Sequence, residues 1–209
     1  MPDAKSFVPK HYVPPEVSTA NFSGTYTLNK TLSDSSDAVL KMQGVGWLVR
    51  QAVKYSTITV TMKDYVDEEG VRHVDVEQVS TGGIRNEEER PVDWTWREKV
   101  DSIWGKLRGR TRFVKLSEVE DAYLKSGWDK GCQDGEVLEG MIESLADTWT
   151  AQQIWGFAEV NGERKHVRRV LTSKGKEEHR IRLVYDWKAQ LPQRKEGDNG
   201  TVTATTTVR

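Results

Sequence analysis

The sequence predicts an all-β protein, an antiparallel barrel or sandwich, on three observations. Apolar and polar residues alternate with period two through most of residues 24–187. Tight-turn signals punctuate that alternation, the strongest being Asn161-Gly162. A single stretch, "SDSSDAVLKMQGVGWLVRQAV" at 33–53, reads instead as two short helices joined by Gly-Val-Gly.

The elements follow in order. "SGTYTLN" opens the series with Tyr26 and Leu28 on one face. In the helical stretch Ser33 or Asp34 is placed to cap a helix with Val39 and Met42 on its apolar side, and Gly44 to end it. A second helix then presents Val45, Leu48, Val49 and Ala52. Helices of about two turns are unstable alone, so they must rest on an apolar surface. The open mouth of a barrel offers one, whereas the faces of a sandwich are already covered. "YSTITVTMKDY" sets Ile58, Val60 and Met62 against threonines, and "VRHVDVEQV" returns after the turn at 67–70. "VDWTWREKV" alternates with Trp94 and Trp96 on one face. "SIWGKLRG" and "RTRFVKL" come next, and 136–146 reads as a strand more readily than as a helix. "TWTAQQIWGFAEV", "ERKHVRRVLTS" and "HRIRLVYDW" complete the series, the last two joined by Lys174-Gly175. Residues 1–20, with four prolines, are expected to form an extended arm, 21–188 the barrel domain, and the Thr-rich stretch 189–209 a flexible tail.

Composition bounds the function. The 209 residues carry 31 basic and 32 acidic side chains, a formal net charge of −1, so no long-range field draws a polyanion and nucleic acid is not the expected partner. One cysteine, Cys132, forms no intrachain disulfide and sits in a polar stretch without a neighbouring base. No apolar run reaches the ~18 residues of a membrane span and the N-terminus has no signal-like core, so stable membrane insertion is not expected and a cytoplasmic location is. The oligomeric state is not legible.

The segment "GTYTL…DAVLKMQGVGWLVRQA" resembles the intracellular fatty-acid-binding proteins of the calycin group. The resemblance rests on Gly24, Thr25, Tyr26 and Leu28, and on Gly44, Val45, Gly46, Trp47 and Arg50; it extends loosely to Tyr185 in "RLVYDW". It implies an antiparallel up-and-down β-barrel of about ten strands whose helix-turn-helix is a lid over a ligand cavity. That family holds a carboxylate with two late-strand arginines and a tyrosine. Aligned on Gly162 and Tyr185, the arginine positions here are Phe157 and Leu183. The resemblance therefore implies a small, bulky, largely neutral hydrophobic ligand and no cofactor.

If Phe157 and Tyr185 face inward, alternation adds Gln153, Trp155, Ile181, Leu183 and Trp187. With Tyr26, Val39, Trp47, Met62, Trp94 and Trp96 these are the expected ligand-binding residues. Two registers compete for strand 163–172: counting from Gly162 turns His166 and Arg168 inward, whereas Val167 and Leu171 argue for the reverse. No nucleophile elbow, P-loop or paired zinc motif is present, and no metal site is expected; His73, Asp75 and Glu77 share a strand face opposite two valines and read as a solvated face, and the charged run "EEER" at 87–90 reads as a solvated turn. Two functions fit. One is a binding module for a hydrophobic molecule. The other is a cofactor-independent cyclase or isomerase acting on a hydrophobic metabolite such as a polyketide or terpenoid, with His166, Arg168 and Tyr185 as its catalytic groups, His166 serving, if inward, as a donor to a ligand carbonyl or a general base.

Overall fold

The computed structural model describes residues 12–191. The chain is an up-and-down antiparallel barrel. β1 (Gly24–Leu28) leads into the two lid helices, α1 (Asp37–Met42) and α2 (Trp47–Tyr55). Then follow β2 (Ile58–Val66), β3 (Arg72–Ser80), β4 (Arg85–Glu88), β5 (Arg97–Asp101), β6 (Gly105–Val114), α3 (Lys130–Asp134), β7 (Val137–Ser144), β8 (Trp149–Val160), β9 (Glu163–Lys174) and β10 (Glu177–Ala189). The sheet runs β4-β3-β2-β1-β10-β9-β8-β7-β6-β5, so the first and last strands pair at its centre and the barrel stays open between its unbonded edges, β4 and β5.

Glycine marks two points where backbone geometry is decisive. Gly44, at φ +79°, ends α1 in the left-handed region as its sequence position implies. Gly24 lies under the Trp187 indole, where a Cβ would come within 2.3 Å of the ring; only glycine lets β1 pass there.

Several expectations are corrected. Ser33 and Asp34 do not cap α1, whose N-cap is Ser36; they extend the β1–β10 pairing, Ser33 Oγ and Asp34 Oδ2 accepting the Val184 and Arg182 amides at 2.8 and 2.7 Å. The two predicted strands before residue 115 are one, β6, and the charged β4 was read as a turn. Of the expected arm, residues 12–20 are no free extension: Val13 and Val17 are fully buried beside Phe22, and Arg164 donates to the Pro14 and Val17 carbonyls at 3.1 and 2.7 Å. Residues 1–11 and most of the expected tail, 192–209, lie outside the described residues.

The segment between β6 and β7 covers the outside of the barrel. Asp129 Oδ1 caps α3 by accepting the Cys132 amide at 2.9 Å, and Trp128 and Cys132 lie against Gly156, where a Cβ would meet Cys132 Sγ at 2.9 Å. Cys132 is thus buried rather than looped into solvent, and burial pushes its thiol up to about 12. This cover settles the register of β9. Val167 pairs with Gly156 and Val184 under the cover, while His166 and Arg168 face inward in register with Phe157 and Trp155. A strand buried on both faces does not alternate cleanly.

Candidate functional site

The inward face of the barrel divides along its axis. At the end away from the lid it is filled: Phe22 stacks on Phe157 with centroids 5.5 Å apart, Trp187 meets Tyr26 edge-on at 5.2 Å, and Tyr26 Oη donates to the Phe22 carbonyl at 2.9 Å. Met62 belongs to the same cluster. Tyr26, Met62, Phe157 and Trp187, expected at a ligand, therefore face inward but plug the closed end. His166 stands at the centre of this plug, fully buried, 4.8 Å from Tyr26 and 5.3 Å from Tyr185 between ring centroids. Its Nδ1 lies 3.0 Å from the Gly156 carbonyl, so the proton sits there and Nε2 is a bare lone pair without a partner. Burial pushes the imidazole down to about 3, helped by the Arg168 and Arg164 charges, and keeps it neutral.

Towards the lid the barrel is hollow. A cavity of about 400 Å³ lies under α1 and α2, bounded by Val39, Gln153, Trp155, Ile181, Leu183 and Tyr185 among the expected residues, and by Arg168. Its shape follows from the sequence of inward rungs. On β8–β10 the rung Phe157–His166–Tyr185 belongs to the plug except for Tyr185, whose ring borders the space; the next rung, Trp155–Arg168–Leu183, is the floor of the cavity. The lid is tied down by Arg50, which bonds Asp37 at 2.9 Å and the Val45 carbonyl at 3.0 Å, and by Lys30, which donates to the Val53 carbonyl at 3.0 Å.

Three expected tryptophans do not face the barrel interior at all. Trp47 is 62% exposed, and Leu48 at 75% was likewise assigned to the wrong face of α2; the inward side of that helix is Val49, Ala52 and Val53. Trp94 adopts φ +60°, which breaks the alternation of its segment. It and Trp96 lie on the outer side of β6, where Arg110 stacks on both rings at 3.9 and 4.4 Å. The strand β5 begins only at Arg97.

Phe157 and Leu183 do replace the two arginines implied by the resemblance, but Arg168 sits beside Leu183 in register and Arg90 enters from beyond β4. The guanidinium carbons of Arg168 and Arg90 lie 4.5 and 4.8 Å from the Trp155 ring centroid. Arg90 is ion-paired with Glu88, which also takes Lys99 at 2.8 Å. Burial holds the Glu88 environment costly for charge, yet these two cations keep its carboxyl well below the usual range. Arg168 has no carboxylate partner among the described residues, and its Nε and the Trp155 Nε1 are buried without acceptors. Burial lifts the Tyr185 phenol above its usual range while the adjacent Arg168 charge offsets part of that, so the hydroxyl stays protonated. The floor of the cavity is therefore a cluster of hydrogen-bond donors in an apolar wall, a group that sequence reasoning found only in part because Arg90 comes from a stretch read as solvated.

A second space of about 670 Å³ occupies the opening between β4 and β5. It shares Val76, Glu88, Arg90, Leu107, Ile142 and Gln153 with the first, so the cavity continues sideways into the opening. The Glu88–Lys99 pair links the two edge strands across it.

No family model matches the sequence. Two curated proteins do. The chain is 34% identical over 178 residues to the pericyclase pydY of Acremonium sp., a match spanning 83% of this chain and 95% of that protein. It is 32% identical over 178 residues to the probable pericyclase scpY of Mollisia scopiformis, spanning 83% and 93%. Among solved structures, the fatty-acid-binding protein from brain tissue of Drosophila melanogaster superposes with a TM-score of 0.51 at 14% identity, over 79% of this chain and 99% of that one; the likeness is one of fold, a calycin-type barrel.

Proposed function

The chain belongs to the family that includes the pericyclase pydY and the probable pericyclase scpY, and from that premise we propose that it closes a ring by a pericyclic reaction within a hydrophobic, carbonyl-bearing molecule. The observation that carries this reading is the donor cluster on the floor of an otherwise apolar cavity: Arg168 Nε and Trp155 Nε1, both without acceptors. An unpaired buried donor costs about 1–3 kcal/mol, and a ligand oxygen placed between them removes that cost.

A pericyclic closure exchanges π bonds for σ bonds in a cyclic array and neither gains nor loses an atom. It calls for two things from a protein. One is a folded substrate conformer with the reacting termini held together, supplied by the walls of the cavity. The other is withdrawal of electron density from one partner, supplied by hydrogen bonds to a conjugated carbonyl that strengthen as charge builds on its oxygen. Arg168 and the Tyr185 hydroxyl are the donors for that oxygen, with Trp155 beside them. His166, the base suggested by the sequence, lies beneath the floor rather than on it; its role in this reading is to position Tyr185 and Trp155.

The test uses the native host with this gene deleted. Purified protein is added to an extract of the deleted strain, and products are followed by liquid chromatography and mass spectrometry. The expected result is conversion of an accumulated compound into an isomer of identical mass. If the protein instead binds a compound that it never converts, it is a carrier and the ring-closure reading fails.

A further inference from the structure

The inward wall of β7 contains a residue that adds nothing to the packing. Gly140 is buried in mid-strand, in register with Thr111 and Gln153. A Cβ built on it meets no atom within 4 Å. Glycine inside a strand weakens it, and no turn or close neighbour here requires one. What the missing side chain leaves is room, at the point where the cavity under the lid turns into the opening between β4 and β5.

The neighbouring side chain supplies a second, independent sign. Gln153 is 3% exposed and borders both spaces, yet no hydrogen bond reaches its amide from any described residue. A primary amide carries two donors and an acceptor, and none of them is spent on the protein here. Around it the opening is polar and mixed in sign: Glu88 is engaged by Arg90 and Lys99, Arg108 by Glu143, and Arg97 by Asp93.

We propose that the opening between β4 and β5 is the subsite for the polar end of the substrate, and that Gly140 and Gln153 define it. The apolar body lies under the lid, the chain passes over Gly140, and an uncharged group that both donates and accepts, an amide in the simplest case, pairs with Gln153. Most charges at the rim are ion-paired, Glu88 with Arg90 and Lys99 and Glu98 with Lys106, while Lys63, Glu89 and Arg110 have no ion pair among the described residues, so the rim mixes both signs and favours a polar terminus without demanding a particular ion. Gly140 is a specificity-determining position: it sets how thick the passage between the two spaces is. This rests on the reading of the cavity as the substrate site, and not on ring closure.

The experiment measures displacement of Nile red from the purified chain by N-methyl alkanamides, by methyl esters of the same chain length, and by amides extended at nitrogen with two or four ethylene glycol units. The wild-type protein is expected to bind the amide about tenfold more tightly than the ester and to accept the extensions with less than about a threefold loss, corresponding to one net hydrogen bond and an open passage. Gln153→Leu removes the amide preference and leaves ester affinity in place, which also reports an intact cavity. Gly140→Leu, whose side chain has space, leaves the melting temperature at or above the wild-type value and lowers affinity for the extended amides about tenfold or more relative to the ester. Equal binding of amide and ester by the wild type, rejection of the extensions by the wild type, or indifference of Gly140→Leu to head-group size each overturns the proposal. Isobaric conversion in host extract is scored separately: conversion with no amide preference sinks the subsite alone, and amide preference with no conversion sinks ring closure alone.

Discussion

The two ends of this barrel are built from the same strands under opposite rules. Phe157, His166 and Trp187 lie at one end in contact with Phe22 and Tyr26, and their polar atoms are few and enclosed. One rung away, Trp155, Arg168 and Leu183 face empty space, and polar atoms there wait for a partner. The difference comes from what enters from outside the sheet. At the closed end the N-terminal segment contributes Val13, Val17 and Phe22; at the other, two thin helices roof the space without filling it. The lesson is that an inward position is a core position or a site position according to its neighbours across the barrel, not its own strand.

The widest predicted contrast tests that division directly. Phe157→Ala at the closed end should cost about 3–5 kcal/mol, because the plug has no means of collapsing around the void. Leu183→Ala, which already borders empty space, should cost about 1 kcal/mol. Urea unfolding of the two variants measures both, and equal losses would dissolve the distinction between plug and cavity. On the hollow side, Arg168→Met should lower the rate of isobaric conversion about 10²-fold while changing unfolding free energy little, since it removes an unmatched buried charge. A variant that loses stability and keeps its rate would make Arg168 part of the plug.

The pH dependence of stability sharpens the contrast further. The folded His166 is pushed down to about 3 by burial, below an unfolded value of about 6.5. Between these limits the unfolded chain binds one more proton than the folded one. Stability from this group is therefore complete above about pH 6.5 and falls by up to about 1.4 kcal/mol per unit as the pH drops towards 3. Denaturant midpoints of wild type and His166→Gln across pH 3–7 should converge at low pH; parallel profiles would place the imidazole in water. The smallest effect is expected at the open edge. Lys99→Met removes the Glu88 link between β4 and β5, which is partly exposed, and should change stability by less than about 1 kcal/mol. In stopped-flow measurements it should still speed both entry and release of Nile red by several fold. Unchanged rates would mean that traffic passes under the lid.

Much of this architecture was legible from local signals. Asn161 and Gly162 adopt the positive φ values that the pair announces, and α1 buries Val39 and Met42 as their spacing implies. Tyr185 and Gln153 were found because β8 and β10 alternate along their inner faces. Other residues were hidden for identifiable reasons. Trp94 and Trp96 alternate like strand residues, but a left-handed backbone at Trp94 carries them to the outer side of β6. The register of β9 was ambiguous because Val167 is apolar for contact with a distant segment, not with the barrel interior. Arg90 sits in a charged run that resembles a solvated turn, and its approach to Trp155 depends on how the open edge curls inward. Gly140 carried no signal at all, since an absent side chain means something only when the space beside it is known.

By itself, the sequence determined most of the succession of strands, the charged β4 and the single β6 apart, together with the position of the helical pair and the main turns. These depend on period-two alternation and on the sign of φ at a few residues, both of which act over a few positions of chain. Only the tertiary structure decided where the barrel is solid and where it is hollow. That outcome depends on volumes brought together from opposite ends of the chain, Phe22 against Phe157 at one end and nothing against Gly140 at the other, and no local pattern encodes a sum of distant volumes.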